Sequence, residues 1–323
     1  MSRPLPLDAA VLKILRNNAA HPSEISEYLA LPVTEVLSSL ERLRDAGFEI
    51  PQNPTLGLHL VSSPDRLLGD DILSRMETGW LPEVTVFEAT ASTNDLAVRR
   101  GIQGAAAPLV ILAETQTSGR GRFGRKWISA PREGIWMSLL LRPEIPLLHW
   151  PRLTSTAALA VANAIQDTTQ LRAGIKWPND VLVRGKKICG LLVETGTHPE
   201  HGQFAVLGIG INANQTEFPE EIREKASSLR LQTGTPIDRG ALTASILDHL
   251  GHLLPELESG FGAIMARIEE RSTVIGQALR LHTGSTFIEG VAEALDEEGH
   301  LLLRMSDGTL QRFSAGEVTT GTQ

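Results

Sequence analysis

Two apolar runs constrain any fold this chain adopts: PLVILAE at residues 108–114 and GIWMSLLLRP at residues 134–143. Each is short, nearly continuous and bounded by breaks in the pattern, so both read as strands with two covered faces. The segment between them has the opposite character. SGRGRFGRKW, residues 118–127, alternates glycine with arginine and contains no acid. The whole chain has a formal charge of −8, so this positive charge is local and needs a local reason.

The pattern on either side divides the 323 residues into four stretches. Residues 1–64 read as three short helices and a hairpin. Val11, Leu12, Ile14 and Leu15 recur at helical spacing, and Ser23 stands as N-cap of a second helix. Val33, Val36, Leu37, Leu40 and Leu43 form one apolar stripe ended by Gly47. FEIPQNPTLGLHLV follows as two strands around a Pro/Asn/Gly turn, which gives the layout of a winged helix-turn-helix. Residues 65–82 read as a linker with one helix. Residues 83–272 alternate strands and helices. STNDLAVRRG is a capped helix ended by Gly101, Leu153 to Asp167 is a long helix, and VLVRGKKICGLLVE is a hairpin turning at Arg184–Lys187. Two or three helices fill Glu220 to Arg271. Residues 273–323 read as a small β-barrel of about five strands, broken by TG, EEG and SDG turns. The expected class is α+β, with a central mixed β-sheet and packed helices.

Bulk properties exclude several alternatives. Hydrophobic residues make up 41% and charged residues 21%, as in globular chains. No apolar run approaches the roughly 20 residues that span a bilayer, and MSRPLPLDAAVLKIL does not read as a signal peptide. Cys189 is the one cysteine, so an internal disulfide and a cysteine metal cluster are both excluded, and a reducing cytoplasm is expected. None of the nine histidines clusters at metal-ligand spacing.

Four elements carry possible chemistry, and each has an ordinary explanation beside it. In the basic loop, Arg120, Arg122 and Arg125 alternate with Gly119, Gly121 and Gly124. Guanidinium forks fit carboxylates and phosphates, and glycine lets the backbone close over an anion. The spacing is neither that of a P-loop nor of a dinucleotide-binding turn, and a solvated loop would also be basic. In IKWPND, residues 175–180, Lys176 lies within an apolar strand, where an ammonium is costly unless it meets an anion. For a lone lysine, an exposed strand face is the ordinary reading and would prevail. Asn179 and Asp180 make a turn or contribute to a Mg²⁺ site. In STN, residues 92–94, Ser92 or Thr93 caps a helix whose N-terminus also suits polar ligand atoms. Gln116 offers both a donor and an acceptor. GIGIN, residues 208–212, places glycine where a close approach would need it and Asn212 at the strand end.

In this order, the four elements resemble the biotin–protein ligase family. GRGRFGRKW is similar to its GRGRxGRxW signature and KWPND to its second signature, and the likeness extends over essentially the whole chain. The resemblance implies a class II synthetase-like central domain and an SH3-like C-terminal barrel. It implies a two-step reaction with biotin and Mg²⁺·ATP as co-substrates and no tightly bound metal. Biotinoyl-5′-AMP forms first, and the acyl group then passes to a lysine of a biotin carboxyl carrier protein domain. Carried over residue by residue, Lys176 and Arg122 are catalytic. Ser92, Thr93, Asn94, Gln116, Gly119, Arg120 and Gly121 hold biotin or its adenylate; the apolar run GIWMSLLL adds Trp136 as a candidate wall for biotin's apolar bicycle, with simple sheet packing as its ordinary reading. Arg125, Lys187, Asn179 and Asn212 serve the nucleotide, and Asp180 serves Mg²⁺. No membrane partner is implied, and a homodimer is compatible. A lipoate ligase shares the central fold but not the GRGRxGRxW pattern. A ligand sensor with an inactive ligase fold is the other alternative.

In part of that family the N-terminal domain makes the enzyme a biotin-responsive repressor, which needs a basic recognition helix for operator DNA. Here residues 1–65 contain five basic and eight acidic side chains, a net charge of −3. Val33, Ser38 and Ser39 stand where similar domains carry Arg or Lys. The shape is expected, but the charge does not suit a phosphate backbone. The competing role is to brace the ligase domain.

Overall fold

The computed structural model describes residues 4–53, 55, 57–283 and 286–320. Its N-terminal unit comprises α1 (Leu7–Asn17), α2 (Pro22–Leu29) and α3 (Val33–Asp45), then the short antiparallel pair β1 (Gln52–Asn53) and β2 (Gly57–Leu58). Residues 54 and 56 of the expected turn lie outside the described residues. Leu12, Leu15, Ile25, Val36, Leu40, Leu43 and Leu58 form its core. Three local readings need correction. His21, not Ser23, caps α2, because Pro22 occupies the first helical position and the His21 N–H is bonded to Glu24 at 2.6 Å. Val33 and Leu37 are exposed at 41% and 46%, so the buried stripe of α3 is narrower than the sequence implied. Ser39 is buried and cannot face a partner.

The connector folds into α4 (Gly69–Arg75) and packs inward: Leu67, Ile72, Leu73 and Met76 join the main core. β3 (Glu83–Phe87), α5 (Thr93–Ile102), β4 (Leu109–Ala113) and β5 (Gly134–Leu141) follow. α6 (Arg152–Thr169), β6 (Gly174–Lys176), β7 (Asp180–Val183), β8 (Lys186–His198) and β9 (Gly202–Asn212) come next. The seven strands make one mixed sheet of order β3-β4-β5-β9-β8-β7-β6. Only β3 and β4 are parallel, because α5 crosses between them. Gly101 lies inside α5 instead of ending it; a Cβ there would approach the Phe204 ring at 2.5 Å, so the glycine serves packing. The β7–β8 turn is the pair Arg184–Gly185, both at positive φ, and is tighter than the sequence reading; Lys187 thus belongs to β8.

Four helices, more than expected, close this domain: α7 (Glu220–Arg223), α8 (Leu229–Thr233), α9 (Arg239–Leu253) and α10 (Phe261–Glu269). β10 (Ala278–Thr283), β11 (Thr286–Leu295), β12 (Leu301–Arg304), β13 (Leu310–Phe313) and β14 (Glu317–Thr320) then form an antiparallel sheet of order β13-β12-β11-β10-β14. Part of the expected TG turn, residue 284, lies outside the described residues. No helix among the described residues is long and apolar enough to cross a membrane.

Strand alternation decides where a site can form. Odd-numbered residues of β5 and β9, such as Ile135, Met137, Leu207 and Ile209, face the main core with α6 and α9. Even-numbered Leu140, Phe204 and Val206 face α5. α5 covers only part of that second face. Beyond it, the same register turns Trp136, Gly208 and Gly210 toward a cavity.

Candidate active site

The cavity has a volume of about 800 Å³, within the range of small-molecule sites. Its floor is the uncovered sheet face, and one wall is the N-terminus of α5. Ser92 caps that helix through the Asp95 N–H at 3.4 Å. The Thr93 N–H donates to Gln116 Oε1 at 2.9 Å, and Gln116 Nε2 donates to Ser129 Oγ at 2.9 Å. Ser138 Oγ lies 2.7 Å from Thr93 Oγ1 and 2.6 Å from Asn94 Oδ1. Asn94 Nδ2 donates to Glu194 Oε2 at 2.8 Å. This nearly buried network is rigid because each member is bonded to another. Gly208 admits it: a Cβ there would stand 2.3 Å from Asn94 Oδ1.

The basic loop crosses above. Gly121 N–H donates to the Arg125 carbonyl at 2.7 Å, closing a turn over Arg122–Gly124. Trp127 N–H donates to the Gly119 carbonyl at 2.9 Å. The Trp127 indole spans Gly190 and Gly210, where added Cβ atoms would approach it at 2.8 and 2.7 Å. It meets Trp136 edge-on at 6.5 Å, and Lys187 Nζ lies 5.3 Å from its ring centre. Trp136 is fully buried.

The cations divide into two groups. Arg120 pairs with Asp95 and Glu194, Arg125 with Glu317 of β14, and Lys187 with Asp180 at 2.7 Å. Arg122 donates instead to the neutral Asn179 Oδ1 at 2.8 Å. Lys176, at the end of β6, has no hydrogen-bond or ion-pair partner among the described residues. Burial pushes both the Lys176 ammonium and the Arg122 guanidinium below their ordinary values. Asp180 and Glu317 oppose that effect from a distance, but neither touches these cations, so burial still outweighs them and a bound anion would relieve the remaining cost. The Arg125 bond holds the Glu317 carboxyl below the usual range. Burial pushes the Cys189 thiol upward, so it is no nucleophile at neutral pH.

The structure brings Ser92, Thr93, Asn94, Gln116, Arg120, Gly121, Arg122, Arg125, Trp136, Lys176, Asn179, Asp180, Lys187 and Asn212 to this one cavity. Gly119 stands behind the lining, where a Cβ would strike the Trp127 carbonyl at 2.6 Å. Asn212 is tied at the rim, its Nδ2 donating to the Ser227 carbonyl at 3.1 Å. Sequence reasoning missed Trp127, Glu194 and Glu317. Trp127 had a visible signal, a large ring within an otherwise cationic loop. Glu317, 192 residues from Arg125, had none.

Comparison with known proteins gives the same family over most of the chain. The Biotin/lipoate A/B protein ligase family matches residues 86–212, and the Biotin protein ligase C terminal domain matches residues 274–320. The bifunctional ligase/repressor BirA of Bacillus subtilis is 34% identical over 303 residues, covering 90% of this chain and 91% of that protein. A biotin–acetyl-CoA-carboxylase ligase of Mycobacterium tuberculosis is 33% identical over 261 residues, covering 79% and 94%. The structure of the Aquifex aeolicus biotin protein ligase in complex with biotin and ATP is similar with a TM-score of 0.65 and 30% identity, covering 75% of this chain and 99% of that one. With 34% identity across nine-tenths of both proteins, this chain belongs to the biotin protein ligase family.

Proposed function

We infer that the chain activates biotin with ATP and transfers it to a lysine of a biotin carboxyl carrier domain. The observation that carries this reading is the pair Arg122 and Lys176, two half-buried cations in one cavity with no carboxylate in direct contact and with burial outweighing the nearby Asp180 and Glu317. In the first step a carboxylate oxygen of biotin attacks the α-phosphorus of ATP. The O–P bond to pyrophosphate breaks, and biotinoyl-5′-AMP remains. Both reactants are anions, so the protein's task is to neutralise and align them. We assign that task to Lys176 and Arg122, with Arg120 and the Gly119–Gly121 backbone over the ligand. In the second step the neutral amine of the carrier lysine attacks the acyl carbon. AMP leaves with the bonding electrons, and the amine's proton passes to solvent. This step needs no nucleophile from the enzyme.

The cavity has two chemically distinct ends. Trp136 offers the apolar bicycle of biotin a wall, and Ser92, Thr93, Asn94 and Gln116 offer its polar ends fixed partners. Trp127, Lys187, Arg125, Asn179 and Asn212 surround the other end, which we assign to the nucleotide. Mg²⁺ belongs to this reading as the counter-ion of ATP. Asp180, opposite Lys176 in the β6–β7 pair, is the carboxylate placed to share it, since Mg²⁺ commonly takes one or two carboxylates plus phosphates.

We further propose a winged helix-turn-helix for residues 1–64, a linker for 65–82, the ligase domain for 83–272 and an SH3-like barrel for 273–323. Bracing is the role we give the N-terminal unit. Operator binding is the second reading, supported by the name of the Bacillus subtilis relative and opposed by charge. The reading also includes a cytoplasmic location and a homodimer through an edge of the central sheet.

Purified protein should exchange labelled pyrophosphate into ATP only when biotin is present, and lipoate should not replace biotin. A folded protein that binds biotin without exchange would leave the sensor reading instead.

A further inference from the structure

Glu114 and Arg239 do not line the cavity, yet they sit where the basic loop begins and ends. Glu114 directly follows β4, and Arg239 is the first residue of α9. Both are 3% exposed. Arg239 Nη1 donates to Glu114 Oε2 at 2.5 Å and to the Gly134 carbonyl, at the start of β5, at 3.3 Å. Arg239 Nη2 donates to Glu114 Oε1 at 3.3 Å. One guanidinium therefore bonds both ends of the segment from 114 to 134. Just inside, the Glu114 carbonyl accepts the Arg132 N–H at 3.0 Å and closes the base of the loop. Glu114 Oε1 also accepts the Leu67 N–H at 2.7 Å, so the connector shares the anchor.

A buried ion pair is a poor source of net stability, because desolvating both charges offsets much of their attraction. What it supplies is direction. Each bond fixes an angle as well as a distance, and here the bonds converge on both ends of one loop that lines the cavity. We propose that Glu114 and Arg239 are positioning residues that set the separation and heading of the loop's two ends. They thereby determine where Arg120 and Arg122 come to rest over the bound adenylate. This rests on the functional reading above. Without the pair the loop samples wider arrangements, so retention of the adenylate suffers more than the chemistry once closed.

The test uses the full chain and the double substitution Glu114→Leu with Arg239→Met, which leaves no unpaired buried charge. Glu114→Gln with Arg239→Gln is the companion variant, kept in case the apolar pair misfolds. A thermal melt first identifies the folded variant. Expected are a biotin KM raised and an adenylate lifetime shortened by about tenfold, with a smaller change in kcat, as for displacement of a catalytic group from a distance. Trypsin should also cut the loop at Arg120, Arg122, Arg125 or Lys126 faster in the variant, with and without adenylate. A folded variant with parental lifetime and parental cleavage overturns the proposal. Parent protein lacking biotin-dependent exchange would instead overturn the functional reading. The cleavage rates without ligand would still decide whether the pair orders the loop.

Discussion

The cavity and the N-terminal unit are the two places where the family resemblance leads one to expect an anionic partner, and they treat their cations differently. In the N-terminal unit every described cation is already engaged. Lys13 donates to the Met76 carbonyl at 2.5 Å, Arg16 to Asp71 at 2.7 Å, Arg42 to Asp8 at 2.5 and 3.0 Å, and Arg44 to the Ile50 carbonyl at 3.0 and 3.2 Å. The outer side of α3 presents Val33, Leu37, Glu35 and Glu41 to solvent. In the cavity, Arg122 and Lys176 are held half-buried with no carboxylate in direct contact, and burial outweighs the more distant Asp180 and Glu317. Counting charges along the sequence misses this distinction. A cation marks an anion site when its own protein leaves it without a direct acidic partner, and burial makes that condition unfavourable enough to matter.

The largest effect should come from removing the cation that has no direct partner. Lys176→Ala should lower biotin-dependent pyrophosphate exchange by about 10²–10³, the usual cost of one preorganised electrostatic donor. Arg122→Ala should follow at a similar or smaller cost. Near-parental exchange in Lys176→Ala would remove the basis of the contrast. Gly210→Ala should come next. Its methyl group would collide with the Trp127 indole, and overpacking typically costs about 1–3 kcal/mol. Calorimetry should show weaker ATP binding with biotin binding largely kept; equal loss of both would dissolve the division into two ends.

Titration sharpens the same contrast. In the role proposed for it Lys176 acts as a cation, and burial lowers its pKa, so its charge is present at low pH and lost as pH rises through that lowered value. The kcat/KM profile for adenylation should therefore fall on the alkaline side below the ordinary lysine value of about 10.4. In the kcat profile the bound phosphates oppose burial, so the limb should move upward. Lys176→Arg should remove the limb. An unchanged limb in that variant would assign it to another group.

Much of this was legible in the residues, for reasons that also explain what was not. The runs 108–114 and 134–143 announced strands because continuous apolar character has few other uses. Lys176 and the arginine–glycine alternation each had an ordinary reading, an exposed strand face and a solvated loop, and only their combination with STN and GIGIN pointed to a site. The glycines of GIGIN were legible as close approaches, but not which side chains approach: Asn94 and Trp127 come from other elements. Long-range partners left no local trace. Glu317 meets Arg125, and Arg239 meets Glu114, only because the sheet and the C-terminal strands bring distant segments together. His21 was missed as a cap because Pro22 at the first helical position moved the helix start forward.

The smallest effect concerns DNA. With its described cations engaged, the parent N-terminal unit should bind duplex DNA weakly, with little dependence of log K on log salt. Val33→Lys with Ser38→Lys places two free ammonium groups on the exposed side of α3 without touching its core. Each phosphate so neutralised should steepen the salt slope by about 0.9. The double variant should therefore gain non-specific, salt-sensitive binding while its exchange activity stays parental. Filter binding at several salt concentrations measures both slopes. A steep slope already present in the parent would mean that Arg42 or Arg44 leaves its internal partner for phosphate. Exposed pairs such as Arg42–Asp8 are held by only about 0–1 kcal/mol, so that exchange is energetically open, and Asp8→Asn would then strengthen binding further. If Asp8→Asn leaves the slope flat, the internal bonds are not what silences α3, and the exposed Glu35 and Glu41 become the groups that repel the backbone.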